Sequence, residues 1–517
     1  MAMTKASIPA VGIDLGTTFS VLARLDENGH PVTVVNGEGD RSTPSMVLFD
    51  GEDVIVGKEA LKAFAAEPAR VAECFKRDMG QRVYHKVIEG KHYPPEVIGA
   101  FILNKLRADA RAQIGPLEKV VITVPAYFDE VRRKATQDAG YMAGFEVLDI
   151  INEPTAAAVA FGSHQGFARE DESPDSPQRV VVYDLGGGTF DVTVMEIRAS
   201  QYVALATDGD VQLGGYDWDQ RLVDLAAEAF AHRHHADPRE EQVAAGKLWR
   251  ECEDAKRTLS VRSKVSIPCQ YRGFSDRIEI AREQFEEATL DLLDRTRFTV
   301  TQTLRAAGLT WDEVDRILLS GGSTRMPMVR AMVRRLSGKD PDTSVAADEA
   351  VAHGAALRAG LLIARSQGRP AAFRIKNVNS HSLGVVGVDP ATKRRRAGVL
   401  IPRNTPIPAS AKRTFRTQKA NQKSILVEIV EGENPSPDDC TQIGRCTIRG
   451  LPPSLPARSP VQVVFHYKPN GRLKVRVSVP DTESHLETEF SRENGLPKEH
   501  LDGWRRYVSE AEPTDYR

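Results

Sequence analysis

Cysteine is scarce in this chain, with five residues in 517, and no two of them form a Cys-x-x-Cys pair. Small secreted proteins need disulfides because their cores are small, whereas a chain of this length can bury a sizeable core. We therefore expect reduced packing cysteines in a cytoplasmic protein, at positions 74, 252, 269, 440 and 446.

Long apolar runs and a strong net charge are also missing. No segment reaches the roughly 18 apolar residues that span a bilayer, and residues 1–10 lack the apolar centre of a secretion signal. This predicts a soluble, cytoplasmic protein with no membrane partner. The formal net charge of −2 argues against a general polyelectrolyte binder and leaves local patches open.

The chain does contain a strand-and-turn motif in two copies, at residues 11–18 and 181–191. Each is an apolar run that ends in aspartate (Asp14 or Asp184), followed by glycine and hydroxyl residues. Glycine lets backbone N–H groups converge on an anion, and an aspartate beside phosphates can hold hydrated Mg²⁺. One copy alone is typical of a hairpin turn. Two copies favour a duplicated α/β unit that faces itself across a nucleotide.

Other polar segments leave two interpretations open. One helical face carries Glu253, Lys256, Arg257 and Ser260. It is either a solvated face with an ion pair or a wall against a nucleoside. Gly321 and Gly322 form a third glycine-rich strand exit, which alone is a weak phosphate signal. Spacing does not decide whether Lys76 and Glu153 are structural or functional.

The pattern along the chain predicts several domains, since 517 residues are too many for one core. Strands alternate with helices to about residue 370, and short strands with frequent turns follow. We expect an α/β domain at 1–370, a linker at 371–381, an all-β domain at 382–490 and a remnant at 491–517 with one helix.

The motifs together resemble the heat-shock protein 70 (DnaK) family of chaperones. In the family's order they are GIDLGTTFS, FKRDMG, VITVPAYFDEVRRKATQDAG, INEPTAAAVAFG, YDLGGGTFDV, LGGYDWD, ECEDAKRTLS, LLSGGSTRMP and DEAVAHGAA. Shorter pieces continue through the β-domain, such as residues 401–405 and 430–433. The resemblance implies an actin-like (duplicated ribonuclease-H-like) ATPase domain, then a β-sandwich that binds peptides and a short C-terminal helix.

By position, the resemblance also implies roles for individual residues. The metal would be held by Asp14 and Asp184. The catalytic residues would be Lys76, Glu153, Thr189 and Asp191. The nucleotide would be bound by Gly16, Thr17, Thr18, Gly186, Gly187, Gly188, Glu253, Lys256, Arg257, Ser260, Gly321, Gly322, Ser323, Arg325 and Asp348. The peptide would be bound by Phe415, Ile425 and Val427, although simple core packing stays open for Val427.

The implied function is an ATP-dependent chaperone that binds and releases extended apolar segments of unfolded proteins, as in the stress response. ATP or ADP with Mg²⁺ would be the cofactors, with K⁺ as a second candidate ion. A J-domain co-chaperone and a nucleotide exchange factor would be partners. Two other hypotheses are a sugar kinase or similar actin-fold phosphotransferase, and a nucleotide-gated scaffold or exchange-factor-like relative with little turnover.

The chain departs from the family pattern in its linker and at its C-terminal end. The usual linker aspartate is Asn377, two apolar linker positions are basic, and Asp149 stands where the family has an arginine. We therefore expect weak or rewired coupling to J-domain partners. Since residues 491–517 are too few for the family's helical lid, we expect bound peptide to leave quickly even with ADP.

Residues 374–427 form a basic stretch in which Asp389 is the sole acid. A solvated surface is one interpretation, and a preference for acidic clients or contact with anionic surfaces is the other. No aromatic residues are interleaved with the cluster at 393–396, which argues against nucleic acid.

Overall fold

The structure is a computed structural model, and it describes residues 11–166, 177–198, 200–389, 391–468, 472–480, 482, 484–490 and 496–510. Parts of the predicted C-terminal remnant, residues 491–495 and 511–517, lie outside the described residues. Within the described ranges, no helix carries an apolar stretch long enough to cross a membrane. All five cysteines lie in those ranges and are free thiols.

The first lobe, residues 11–166, is a mixed sheet covered by helices. Its strands are β1 (Val11–Asp14), β2 (Phe19–Leu25), β3 (Pro31–Val34), β4 (Thr43–Pro44), β5 (Val47–Asp50), β6 (Asp53–Val56), β7 (Val71–Ala72), β8 (Lys119–Val124) and β9 (Glu146–Asn152). Its helices are α1 (Lys58–Ala63), α2 (Pro95–Ile114), α3 (Glu130–Met142) and α4 (Glu153–His164).

The second lobe, residues 177–376, follows the same plan. Its strands are β10 (Gln178–Leu185), β11 (Phe190–Arg198), β12 (Gln201–Asp210), β13 (Lys264–Tyr271), β14 (Phe274–Ala281), β15 (Arg316–Ser320) and β16 (Arg374–Lys376). Its helices are α5 (Gly215–His234), α6 (Gln242–Leu259), α7 (Arg282–Ala288), α8 (Leu290–Ala306), α9 (Pro327–Ser337) and α10 (Ala350–Ser366).

The two lobes repeat one sheet topology, as the twin motifs predict. The first sheet has the order β3-β2-β1-β8-β9 and the second β15-β10-β11-β12-β16. In the first sheet β1, which carries Asp14, pairs antiparallel with β2 and parallel with β8. In the second sheet β10, which carries Asp184, pairs antiparallel with β11 and parallel with β15. Both aspartates therefore stand at the carboxyl end of a central strand, where α/β sheets bind ligands.

The helices α4 and α10 pack against each other between the lobes, and glycine permits the close approach. A Cβ atom added to Gly354 of α10 would lie 1.9 Å from the backbone oxygen of Ala156 in α4. The alanine-rich surfaces of both helices are buried in the same core. The relative position of the two lobes thus depends on a backbone contact that a larger residue would open.

The third part is an all-β domain with a final helix. Its elements are β17 (Leu383–Val388), β18 (Arg395–Ile401), β19 (Ala409–Arg416), β20 (Ser424–Glu431), β21 (Thr441–Arg449), β22 (Pro460–Tyr467), β23 (Leu473–Ser478), β24 (His485–Phe490) and α11 (Lys498–Glu510). Two four-stranded sheets, β18-β17-β20-β21 and β19-β22-β23-β24, enclose one apolar core. This is the predicted β-sandwich.

The altered linker docks as a strand on the second lobe. β16 pairs in parallel with β12, and the buried Phe373 ring lies 5.7 Å from the Tyr202 ring in an edge-on contact. Asn377 accepts a hydrogen bond from Thr155 at 3.3 Å. The inverted charge at Asp149 is matched inside the same domain, because Arg358 of α10 pairs with it at 2.7 Å. The two departures therefore leave the linker docked, and their effect on co-chaperones stays a prediction.

The last helix, α11, packs on the first lobe instead of on the β-sandwich. Val508 is fully buried there, and the rings of Tyr507 and Phe101 are 5.7 Å apart. Tyr141 of α3 donates a hydrogen bond to Asp502 at 2.5 Å. The predicted helix at the C-terminal end is thus confirmed, and this docked helix does not cover the β-domain.

The β-sandwich meets the first lobe through buried acidic groups at the start of α3. The backbone N–H of Glu130 donates to the Glu431 carboxylate at 3.1 Å, and Asp129 lies beside them. Burial and the neighbouring Glu431 raise the pKa of Glu130 to about 8. Burial raises the pKa of Glu431 to about 7, although His381 opposes the rise. The docked state therefore binds protons that a separated, solvated state would release.

The helix contact between the lobes predicts a stability effect. Gly354→Ala places a methyl group against the α4 backbone and should lower the free energy of unfolding by about 1–3 kcal/mol, as overpacking does. Urea unfolding followed by tryptophan fluorescence measures this. Gly503→Ala is the matched control, because a Cβ at this second helical glycine meets no atom within 4 Å. It should stabilise α11 by up to about 1 kcal/mol, and equal stabilisation by both changes would contradict the tight contact.

The acidic interface predicts that docking weakens as pH rises. The pKa values of Glu130, Glu431 and His381 are all raised in the docked state. Docking should be strongest near pH 5 and weaken as pH rises through about 8, because stability is lost as a raised pKa is passed. Small-angle scattering at pH 6 and 8.5 should show a larger radius of gyration at the higher pH. Glu431→Gln should reduce this change, and an unchanged pH response would contradict the assignment.

Candidate nucleotide site

A deep cavity of about 750 Å³ lies between the two lobes and is lined from both. The structure brings together here nearly all the residues that the sequence proposed for the nucleotide, the metal and catalysis. The lining residues among them are Asp14, Gly16, Thr17, Thr18, Lys76, Glu153, Asp184, Gly186, Gly187, Thr189, Glu253, Lys256, Arg257, Ser260, Gly321, Gly322, Ser323, Arg325 and Asp348. Gly188 and Asp191 are absent from the lining and stand directly behind it.

The two glycine-hydroxyl turns face each other at the floor of the cavity. A Cβ atom on Gly187 would lie 1.9 Å from the hydroxyl of Thr18, and one on Gly188 would lie 2.4 Å from Cγ2 of Thr17. Ser323 donates a hydrogen bond to the backbone oxygen of Gly186 at 2.9 Å, which joins the third glycine segment to the second. The turns thus form one set of backbone N–H groups and hydroxyls suited to phosphate oxygens.

Four carboxylates and one lysine cluster here: Asp14, Glu153, Asp184 and Lys76 line the centre of the cavity, and Asp191 is buried directly behind it. Lys76 Nζ lies 2.5 Å from Glu153 Oε1, and Thr123 donates to Asp14 at 3.0 Å. Burial and the nearby Glu153 raise the pKa of Asp14 to about 7 and place that of Asp184 well above its ordinary value. The same causes raise the pKa of Asp191 to about 8. One lysine is too little positive charge for this cluster, so the site favours an added cation.

The donor set suits a hydrated Mg²⁺ ion. Carboxylate oxygens are the ligands that this ion prefers, and it keeps several waters and binds substrate phosphates as well. Within the described residues, no three acidic, histidine or cysteine groups converge to form a complete protein cage. Asp14 and Asp184, one from each lobe, would therefore act together with water and phosphate oxygens.

Asp191 is held behind the cavity by a backbone group of the first lobe. The N–H of Tyr127 donates to its carboxylate at 2.9 Å, although Asp191 itself lies on β11 of the second lobe. The carbonyl of the same Tyr127 accepts a hydrogen bond from the His381 ring at 3.0 Å. One residue therefore connects the carboxylate cluster to the segment that follows the linker.

The predicted nucleoside wall is preorganised by ion pairs on α6. Glu253 contacts both Arg250 and Arg257 at 2.5 Å, and Lys256 pairs with Asp219 at 2.5 Å. The Arg257 guanidinium also lies over the Phe19 ring, 5.4 Å from its centroid. On the opposite side Arg325 pairs with Asp348. The helical face is thus part of the cavity and not merely a solvated surface.

Several lining residues were missed by sequence reasoning. The ring centroids of Tyr216 and Trp249 are 4.3 Å apart in the cavity wall, with the rings tilted by 39°, and Asp219 and Glu73 also line it. Tyr216 and Asp219 stand within LGGYDWD, so their position beside a recognised motif was an available signal. Trp249 and Glu73 stand in no glycine turn or recognised face, and the local sequence offered no signal for them.

The proposed peptide-binding residues lie apart from this cavity, in the β-sandwich. Ile425 and Val427 point into its core, with exposed fractions of 8% and 3%. Phe415 is partly buried beside them, and the Arg413 guanidinium lies 5.7 Å from its ring centroid. A role of these residues in peptide binding remains a prediction.

The comparisons with known proteins agree with this architecture. The family model described as "Hsp70 protein" matches residues 10–91 and 85–515. The chain is also 37% identical to "Chaperone protein DnaK" of Deinococcus proteolyticus over 97% of its own length and 81% of that protein. The chain belongs to the Hsp70 family.

Hsp70 proteins are ATPases that act as molecular chaperones, so the predicted family, fold class and enzyme class are confirmed. The family match extends through the β-sandwich, which counts against a sugar kinase. Nothing found supports a scaffold without turnover. The roles of individual cavity residues in this Hsp70 are proposals that the geometry supports.

The contact between the two glycine-hydroxyl turns predicts an effect of mutation on ATP binding. Gly188→Ala should push away the Thr17 turn, which is buried and has little room to move, and should weaken ATP binding at least about tenfold, or 1.4 kcal/mol. Isothermal titration with Mg²⁺–ATP measures this affinity. Gly503→Ala, far from the cavity, should bind as the parent does, and parent-like affinity of Gly188→Ala would contradict the proposed phosphate floor.

Proposed function

We propose that this Hsp70 hydrolyses Mg²⁺–ATP in the cavity between its lobes and uses the nucleotide to control peptide binding by the β-sandwich. The observation that carries the proposal is the convergence of both glycine-hydroxyl turns, the four carboxylates and Lys76 on one cavity. Phosphoryl transfer depends mainly on positioning and charge, which such a site supplies.

The nucleotide would bind with its phosphates on the floor and its nucleoside against α6. Thr17, Thr18 and the backbone of residues 186–189 would donate to phosphate oxygens, with Arg257 beside the base. Asp14 and Asp184 would hold Mg²⁺, which when bound would supply positive charge to the phosphates. These assignments use residues that line the cavity or lie directly behind it.

The attacking water would lie near the Lys76–Glu153 pair. The Lys76 ammonium would stabilise negative charge at the γ-phosphate, and the carboxylates of Glu153 and Asp191 would orient water by accepting its hydrogen bonds. Thr189, buried at the edge of the same cluster, adds a hydroxyl donor. No side chain needs to form a covalent intermediate in this scheme.

The β-sandwich would bind extended apolar segments of unfolded clients. An exchange factor and a J-domain protein would regulate the cycle, the latter with coupling that is weak or rewired at Asp149 and Asn377. The docked linker and the His381–Tyr127–Asp191 hydrogen bonds support a physical connection between the two activities. Because α11 contacts the first lobe and not the sandwich, peptide release should be fast with ADP as well as with ATP.

The experiment that tests this function is single-turnover ATP hydrolysis with and without an extended apolar peptide. Peptide-stimulated phosphate release would support the proposal. ATP binding without hydrolysis, or hydrolysis that no peptide changes, would contradict it.

The buried lysine predicts a separation of binding from chemistry. Lys76→Ala should lower the rate of single-turnover hydrolysis at least about a hundredfold, as removal of one stabilising donor can, and leave ATP affinity within a few-fold. Lys62→Ala is the matched control, because Lys62 forms an exposed surface pair with Glu59. Normal hydrolysis by Lys76→Ala would reject the assigned role.

A further inference from the structure

One end of the β-sandwich gathers two loops that are distant in sequence. β17 runs antiparallel to β20, so the end of β17 at Val388 lies beside the start of β20. Asp389 and residues 391–394 follow β17 there, and the loop at residues 417–423 enters β20 there. Gly387 lies next to the ring of Phe415, 3.8 Å from an added Cβ, which places both loops around the proposed peptide pocket.

This end of the sandwich, which we call the basic rim, is crowded with exposed positive side chains. Its members are Lys393, Arg394, Arg395, Arg396, Arg416, Lys419, Lys423, Arg449 and Arg458. Arg449 belongs to the rim because it pairs with Ser424 at the start of β20. Arg458 belongs because its carbonyl accepts a hydrogen bond from Arg416 at 3.1 Å.

Few carboxylates neutralise the positive charge of the basic rim. Arg395 pairs with Glu428 at 2.8 Å and approaches Asp438 at 3.6 Å, and Arg396 lies 3.8 Å from Asp389. In the part of the chain that the structure describes, the other rim residues form no ion pair. Their charges are therefore available to a ligand with carboxylates of its own.

The rim surrounds apolar surface as well as charge. Val388 and Leu426 are 42% and 53% exposed at this end, and Leu426 lies on the sheet face opposite to the buried Ile425 and Val427. An extended segment in the proposed peptide pocket would place its apolar centre near Phe415 and its flanks among these lysines and arginines. Phe415 is the sole Phe, Tyr or Trp in residues 389–424 and is partly buried, so the rim lacks the row of stacking platforms of single-stranded nucleic-acid sites.

We propose that this Hsp70 selects extended client segments whose apolar centre is flanked by Asp or Glu residues. The inference rests on the proposed peptide-binding function and specifies the substrate class of that site. Charge complementarity at an exposed rim acts mainly on selectivity and association rate. It is screened by salt, since the Debye length is about 10 Å at 0.1 M.

The test uses labelled peptides that share one apolar heptamer and differ only in their flanks, with three Asp, three Asn or three Lys on each side. Fluorescence anisotropy on the full chain at 50 mM KCl should show at least tenfold tighter binding of the Asp-flanked peptide than of the Lys-flanked one. At 500 mM KCl the difference should fall below about threefold. Equal affinities of all three peptides at low salt would overturn the proposal.

A variant with four neutralised residues of the basic rim tests whether the rim causes the preference for acidic flanks. Lys393→Gln, Arg394→Gln, Lys419→Gln and Lys423→Gln together should remove the preference and leave the affinity for the Asn-flanked peptide unchanged. The control removes four exposed charges from the ATPase lobes, by Lys62→Gln, Lys247→Gln, Arg305→Gln and Arg335→Gln, and should keep the preference. Loss of the preference in the control alone would also overturn the assignment.

Competitors separate the remaining outcomes. An oligo-glutamate peptide without apolar residues, and a single-stranded DNA of similar charge, should compete weakly. Competition by either one as strong as that of the Asp-flanked peptide would overturn the proposal in favour of a general anion or nucleic-acid surface. If no peptide binds at all, the proposed chaperone function fails and not only its selectivity.

Discussion

The carboxylate cluster between the two lobes is the constraint on which the rest of this structure depends. Asp14 and Asp184 come from equivalent strands of two repeated sheets, and Glu153 begins the helix that packs between them. Buried carboxylates repel one another, so a single lysine cannot neutralise the cluster. The fold must hold these groups together by packing, and the tight helix contact at Gly354 and the touching turns at Gly188 do so.

The same cluster is connected to the β-sandwich through the backbone of Tyr127 and Ala126. Tyr127 donates from its N–H to Asp191 and accepts at its carbonyl from His381, while the neighbouring Ala126 carbonyl accepts from Ser380. A shift of Asp191 would therefore change the position of the segment after the linker. The buried acidic groups at Glu130 and Glu431 make this interface costly to form unless protons or positive charge compensate.

Local sequence predicted most of the elements because strand and helix patterns follow short-range rules. The strands that carry Asp14 and Asp184, the all-β domain after about residue 370 and the final helix agree closely with expectation. The sequence was weaker where a contact joins distant residues. It identified the inverted charge at Asp149 but not its partner Arg358, which lies 209 residues later on α10. It also failed to identify Trp249, because a single aromatic residue on a helix carries no local signal of a cavity.

By itself the sequence determined the family, the repeated strand-and-turn motif, the β-sandwich and a helix in residues 491–517. These features follow from residue type and spacing, which determine secondary structure and turn conformation directly. Only the tertiary structure decided that the twin turns touch, that the basic linker still pairs with β12, and that α11 packs on the first lobe. Those outcomes depend on contacts between apolar surfaces and buried charges that are distant in sequence. No short stretch of sequence specifies such contacts.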